Sequence, residues 1–310
     1  MRILVTGAAG HIGSALVRAL ASRPGPAEIA ATDLGAPGFD LPRVRSLAGD
    51  LTDAGFARSL ITPDTGIVFH LASLVSGGAE QDFELGTRIN LDATRDLLES
   101  CRLAGRRPRF VFTSSIAVYG GDPPDPVTDD TPPRPRISYG TQKLVCETLL
   151  NDYTRRGYVD GCSLRLPGVL VRPGAPNTAL TGWISAIVRE PIAGRDYVCP
   201  VRPDTRIACI SLGRVVESLL HAADLSSDAL GADRTVLLTG ISASARQLWD
   251  AARPHARGRV SFEPDARIQA VMDTGCKATL SARAARLGFR HSASVEEIIT
   301  EYLATLSPAT

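Results

Sequence analysis

A tyrosine and a lysine four residues apart, in Tyr139-Gly-Thr-Gln-Lys143, share one face of any helix that carries them. Lysine is rare in this chain: of 34 basic residues only Lys143 and Lys277 are lysines, and the rest are arginine. An arginine fork is wide, whereas an ammonium is a compact donor on a flexible stem, so a lysine kept beside the tyrosine points to chemistry. A free phenol, with a pKa of about 10, is a poor base at neutral pH. A neighbouring ammonium favours the tyrosinate and draws that pKa toward the working range. Tyr139 is therefore read as the group that takes up or returns the proton of a carbinol, with Lys143 as its partner. Ser115, at the end of the apolar run Phe110–Thr113, is placed to hydrogen-bond the substrate oxygen and orient it. Ser114 beside it, and Tyr119, Tyr153 and Trp183, are read as strand-end or packing residues.

A hydride acceptor for that carbinol is suggested at the other end of the sequence. Gly7, Gly10 and Gly13 follow a short apolar run and open a helical pattern. Glycines there permit a tight turn and let backbone N–H groups approach a pyrophosphate at the helix N-terminus. Asp33, twenty residues after Gly13, can accept both hydroxyls of an adenosine ribose and would repel a 2′-phosphate. The pattern thus favours NAD over NADP. His11 and Ile12 lie inside the same turn, His11 as a loop side chain with no catalytic role. Asp50-Leu51 is placed near the adenine, and Leu71-Ala72 where a strand would line the nucleotide. Asn90 is expected to hold backbone or a water near the site, and Lys143 to hold the nicotinamide ribose.

The elements that must position these residues alternate. Arg2–Thr6 reads as a buried strand, Ile12–Ala21 as a helix and Glu28–Thr32 as a strand. Ile67–Leu71 is another strand, followed by one long helix over Leu85–Gly105 that ends at glycine. Phe110–Thr113 reads as a strand, and Asp122–Pro135 is too rich in proline for regular structure. Ile137–Gly157 is a helix with Ser138 as its cap, and Gly161–Leu166 a strand. This alternation implies right-handed crossovers and a doubly wound, parallel α/β sheet of Rossmann type. Beyond Leu166, prolines cut the chain into short pieces until the strand Arg206–Ser211 and the helix Leu212–Ala223. Thr235–Leu238 and residues after about Ser242 resemble a small α/β cap. The domain reading is 1–166 for the nucleotide, with 207–238 returning to it, and 167–206 with 239–310 as a smaller, discontinuous α/β substrate domain.

Bulk composition argues against nucleic acid and membrane as partners, and the expected partner is a small polar molecule. A formal net charge of +1 with 22% charged residues offers no pull toward nucleic acid or an anionic membrane. Apolar stretches are too short to span a bilayer. An apolar run almost at the first residue leaves no room for a signal peptide. Six cysteines without CxxC pairing read as reduced core thiols, fitting a cytoplasmic protein, and five dispersed histidines suggest no metal site.

Taken together, these residues resemble the extended short-chain dehydrogenase/reductase (NAD-dependent epimerase/dehydratase) superfamily, and most nearly its D-erythronate dehydrogenase-like branch. The resemblance rests on Phe69-His-Leu-Ala-Ser-Leu-Val-Ser76-Gly-Gly-Ala-Glu80, Arg88-Ile-Asn90-Leu-Asp and Ser138-Tyr-Gly-Thr-Gln-Lys143. It continues in Leu164-Arg-Leu-Pro167, Val171-Arg-Pro-Gly-Ala-Pro-Asn177, Arg189-Glu-Pro-Ile-Ala-Gly194 and Cys199-Pro-Val201. It implies NAD-linked oxidation of the C2 hydroxyl of a four-carbon sugar acid, catalysis by Ser115, Tyr139 and Lys143, a cofactor contact at Pro167 and a homodimer. Substrate contacts are expected at Ser76, Asn177 and Arg206 as well as at Ser115 and Tyr139. Arg206 matches the place where related epimerases set an arginine on a nucleotide diphosphate, and its fork would suit a carboxylate. The chain departs from the branch at Gly168, where a hydroxyl is expected, at Gly78, often an acid, and across Thr178–Trp183, which is bulkier.

Two other readings stay open beside the dehydrogenase. A nucleotide-sugar 4-epimerase would pass the hydride out and back on tightly held NAD, with no net redox change. A sensor of NAD built on the same fold would have no need for the serine, tyrosine and lysine.

Overall fold

A computed structural model describes residues 1–174 and 179–306. The strands in its first half are β1 (Arg2–Thr6), β2 (Glu28–Asp33), β3 (Val44–Ala48), β4 (Thr65–His70), β5 (Arg109–Ser115) and β6 (Asp160–Leu166). Shorter ones follow: β7 (Gly168–Leu170), β8 (Tyr197–Cys199), β9 (Arg206–Ser211), β10 (Thr235–Leu237), β11 (Ile241–Ser244) and β12 (Val260–Phe262). Seven of them make one sheet in the order β10-β6-β5-β4-β1-β2-β3, with β1 through β5 paired in parallel. The chain runs outward from β1 to β3 and then back across β1 to β4 and β5. That reversal is the switch point of a doubly wound sheet, and ligands gather at the carboxyl ends of strands there. Thr6 of β1 and His70 of β4 are paired at that end.

The chain divides into two compact units: Met1–Ser115, Ile137–Arg165 and Val216–Val236, and Ile116–Arg136, Leu166–Val215 and Leu237–Thr310. In the first, helices 54–60, 93–104 and 138–155 carry Leu60, Leu97, Leu98, Cys101, Cys146 and Leu150 onto Leu4, Val68, Phe110 and Phe112 of the sheet. The second has its own core, where Trp183, Ile187 and Val188 of helix 183–192 meet Leu248 and Trp249 of helix 245–252 and Ile298 and Tyr302 of helix 295–306.

Several elements differ from the sequence reading. β9 pairs with β7 and β11 in a separate three-stranded sheet, so the chain returns to the first unit at Val216, not at residue 207. β10 is no part of a cap; it forms the edge of the large sheet. The single helix over 85–105 is three pieces: Phe83–Thr87, a π-turn at Arg88–Asp92 and Ala93–Ala104, closed by Gly105 at φ +69°. Ile137, not Ser138, occupies the N-cap of the 138–155 helix and offers no side-chain bond. The carboxylate of Glu80 accepts from the Ser138 N–H instead. All six cysteines are buried and none forms a disulfide.

Candidate active site

The glycine turn is shaped by what cannot fit in it. Gly7 has φ +67°, and a Cβ there would stand 2.7 Å from the Ala72 nitrogen. A Cβ on Gly13 would stand 2.1 Å from the Gly7 oxygen, so only glycine lets the 11–22 helix start this close to the turn. Gly10 caps that helix without a side-chain bond, leaving the approach to its N-terminus clear. Asp33 Oδ2 accepts from Ala9 N–H and Oδ1 from Leu34 N–H, each at 2.9 Å. Each oxygen keeps a lone pair for a ribose hydroxyl. A turn that leaves no room for Cβ atoms, facing a carboxylate at the end of β2, fits a dinucleotide. Leu71 and Ala72 follow β4 with their N–H groups on Thr6 Oγ1, at 3.2 and 3.3 Å. Asp50 and Leu51 follow β3, where Asp50 Oδ1 accepts from Thr52 N–H.

The catalytic candidates come together on β5 and the 138–155 helix. The Tyr139 hydroxyl is hydrogen-bonded to Ser115 and to Ser73. The Lys143 ammonium lies 5.5 Å from the Tyr139 ring centre and 4.7 Å from that of Phe112, and donates to the Thr113 carbonyl at 2.9 Å. Lys143 is only 2% exposed, and burial pulls its pKa down to about 8 against the opposing fields of Cys146 and Glu147. The expected lowering of the phenol is not what the structure shows. Burial pushes Tyr139 up to about 12, and the bonds from Ser115 and Ser73 offset that only in part.

Beneath them runs an ordered chain of hydrogen bonds. Thr6 Oγ1 accepts from Leu71 and Ala72, so its own proton points to His70 Nδ1 at 2.7 Å. His70 Nε2 therefore carries the ring hydrogen and donates to Thr94 Oγ1 at 2.8 Å, which donates in turn to the Asn90 carbonyl at 2.7 Å. Fully buried, His70 has its pKa lowered to about 3, by desolvation first and by Lys143 second. Asn90 sits in the π-turn, where its carbonyl is met by Thr94 and by the Cys146 thiol. Its amide accepts from Leu74 N–H and Ser73 Oγ, both at 2.8 Å, and donates to Leu74 O and to Gln142 Oε1. One side chain thus fixes the segment after β4 against the helix that carries Tyr139 and Lys143.

The remaining candidates are dispersed. Ser76 begins the short helix Ser76–Gln81, in which Gly77, Gly78 and Ala79 are buried. Pro167 and Arg206 belong to the second unit. The Arg206 guanidinium is held by Asp125 Oδ2 at 2.5 Å and donates to Ser242 Oγ at 3.0 Å. A Cβ at Gly168 would meet the Ile184 side chain at 2.8 Å and the Ala208 carbonyl at 3.2 Å, which leaves little room for a hydroxyl-bearing residue. Asn177 lies outside the described residues. Ser73, Thr113, His70 and Glu147 escaped the sequence reading. Glu147 alone gave a usable signal, since Tyr139, Lys143 and Glu147 recur every four residues along one helical face.

Residues 3–226 match the NAD dependent epimerase/dehydratase family. The chain is 44% identical to a D-erythronate dehydrogenase of Cupriavidus necator, over 98% of both chains. It is 36% identical to the Haemophilus influenzae protein of that name, over 98% of this chain and 99% of the relative. Among solved structures, a nucleoside-diphosphate-sugar epimerase from Agrobacterium tumefaciens superposes with a TM-score of 0.91 at 38% identity, covering 98% of this chain and 94% of that one.

Proposed function

The chain belongs to the NAD dependent epimerase/dehydratase family, and on that premise we propose that it is an NAD-dependent dehydrogenase oxidising a secondary alcohol of a small sugar acid, a D-erythronate-like 2-hydroxy acid. The observation that carries the chemistry is the meeting of Ser115, Ser73 and the Tyr139 hydroxyl beside the buried Lys143 ammonium. The substrate class rests on the two D-erythronate dehydrogenases that match the chain from end to end.

Ser115 orients the alcohol and Tyr139 takes its hydroxyl proton as the carbon gives up hydride; in the reverse direction Tyr139 returns that proton. NAD, when bound, supplies the hydride acceptor and a positive ring that favours the tyrosinate. Gly7, Gly10, His11, Ile12 and Gly13 hold the pyrophosphate, Asp33 the adenosine ribose, and Asp50, Leu51, Leu71, Ala72, Asn90 and Pro167 line the nucleotide. Lys143 serves both the ribose and the phenol. Ser76 and Arg206 are assigned to the substrate. With Arg206 on its carboxylate, Asp125 would have to release one arm of the fork.

The test is NADH absorbance on mixing the purified protein and NAD with four- to six-carbon sugar acids. Net NADH with a D-erythronate-like member is the expected result. Likeness to the Agrobacterium epimerase supports a second reading. No NADH across the panel, with isomerisation of a nucleotide sugar in parallel, would replace the dehydrogenase by the 4-epimerase.

A further inference from the structure

Glu147 is a carboxylate in the sheet's shadow that the reaction itself does not use. It is 4% exposed, and burying a lone charge is strongly unfavourable, so its surroundings must supply compensation. They do so from two strands. Arg165 of β6 embraces it, with Nε at 2.9 Å from Oε1 and Nη2 at 2.6 Å from Oε2. Ser114 of β5 donates its hydroxyl to Oε1. The last three residues of β5 are each gripped by one turn of the same helix. Lys143 takes the Thr113 carbonyl, Glu147 the Ser114 hydroxyl and Tyr139 the Ser115 hydroxyl.

We propose that Glu147, clamped by Arg165, is a positioning residue that seats the Ser114-Ser115 strand end on the catalytic helix and holds Lys143 as an ammonium beside Tyr139. The inference rests on the role given above to Tyr139 and Lys143. The groups that face Lys143 leave few other sources of negative charge. On its own helix stand the Tyr139 phenol and the Cys146 thiol, which burial pushes up to about 12 and about 11; the thiol's opposing field on Lys143 acts only once the thiol ionises, so near pH 8 both groups are neutral. β4 presents His70, neutral with its pKa near 3. β5 presents the Phe112 face and the Thr113 carbonyl. Arg165 faces Glu147 from β6 and neutralises it as a pair, so the geometry of the clamp sets how much of the carboxylate's field Lys143 feels. Replacing the carboxylate by an amide leaves the guanidinium uncompensated and reverses the sign of that field.

Lysine scarcity makes the test direct. Incorporating lysine labelled with ¹³C at Cε gives signals from two sites only, Lys143 and Lys277. In the native protein the Lys143 signal should titrate near pH 8. In Glu147→Gln it should titrate about one unit lower, since an opposite charge nearby favours the charged form and its loss does the reverse. The Lys277 signal serves as the internal reference. Alcohol oxidation needs the tyrosine–lysine pair to have given up one proton, so the rising limb of kcat against pH should shift down with the lysine signal. Ser114→Ala keeps the carboxylate and its pair with Arg165. It should lower kcat roughly tenfold with the limb unmoved and NADH affinity unchanged. Should Glu147→Gln not fold, Arg165→Met gives the complementary reading, a Lys143 titration displaced upward. An unmoved Lys143 signal in either charge variant overturns the proposal. A displaced signal in a protein that oxidises no sugar acid would sustain it and sink the substrate assignment instead.

Discussion

The glycine turn and the helix that carries Tyr139 and Lys143 lie in the same unit and are built on opposite principles. The turn is made by missing side chains: its geometry is the space where a Cβ at Gly7 or Gly13 would collide with backbone. The helix face is made by buried side chains, Lys143 and Glu147, whose charges are compensated from the neighbouring strands. The first arrangement fixes where a ligand can sit and has little leverage on proton affinity. The second governs proton affinity and does not need a particular backbone conformation. Binding and chemistry can therefore be broken separately.

The largest effect should come from the helix. Tyr139→Phe removes the proposed proton acceptor and should reduce kcat roughly 10³-fold while NADH affinity stays within about twofold. A variant that loses both together would show that the two regions are not separable. The turn should give the next effect. Gly13→Ala places a methyl group against the Gly7 carbonyl, and a backbone atom cannot swing aside as a side-chain end can. NADH titration by fluorescence should show affinity weakened about 10²-fold, with residual turnover at saturating cofactor keeping the native pH profile. A shifted pH profile there would tie the turn to the proton chemistry.

The smallest effect sharpens the contrast through His70. Unfolded, it takes up a proton below its ordinary value of 6.5; folded, it resists until about pH 3. The unfolded state binds the extra proton across that window, so His70's share of stability is complete above pH 6.5 and is lost as pH falls toward 3. The slope should be about 1.4 kcal/mol per pH unit, read as urea midpoints between pH 6.5 and 4. His70→Gln keeps an acceptor for Thr6 and a donor for Thr94 and should flatten it. An unchanged slope would mean that this buried chain is not where the acid sensitivity lies.

The same contrast explains what was legible in the sequence. Gly7, Gly10, Gly13 and Asp33 announce themselves because a tight turn after a strand tolerates few residue types. Tyr139 and Lys143 were legible through the helical period and the scarcity of lysine. His70, Ser73 and Thr113 gave no such sign, since a buried polar residue on a strand or loop looks like any other until its partners from distant segments are known. The direction of the Tyr139 shift was missed for a related reason. A sequence shows the neighbouring ammonium but not how completely the site is desolvated. The π-turn was hidden as well, because 85–105 has an unbroken helical pattern, and the Asn90 carbonyl in it is met by Thr94 one turn on and by the Cys146 thiol from a distant segment. The return at Val216 was misplaced because β9 reads as a strand whichever sheet it joins.

That π-turn also sets the angular phase of the site. A π-turn holds one residue more than the α-helical turn it interrupts, and each helical residue advances about 100° around the axis. The segment before Arg88 is thus rotated against the segment after Asp92 by an amount that no plain helix of this length would give. Helix 93–104 can keep its apolar face on the sheet while Asn90 faces Leu74 and Gln142. The asparagine's reach is a matter of phase, inherited from one extra residue rather than from any property of its own side chain.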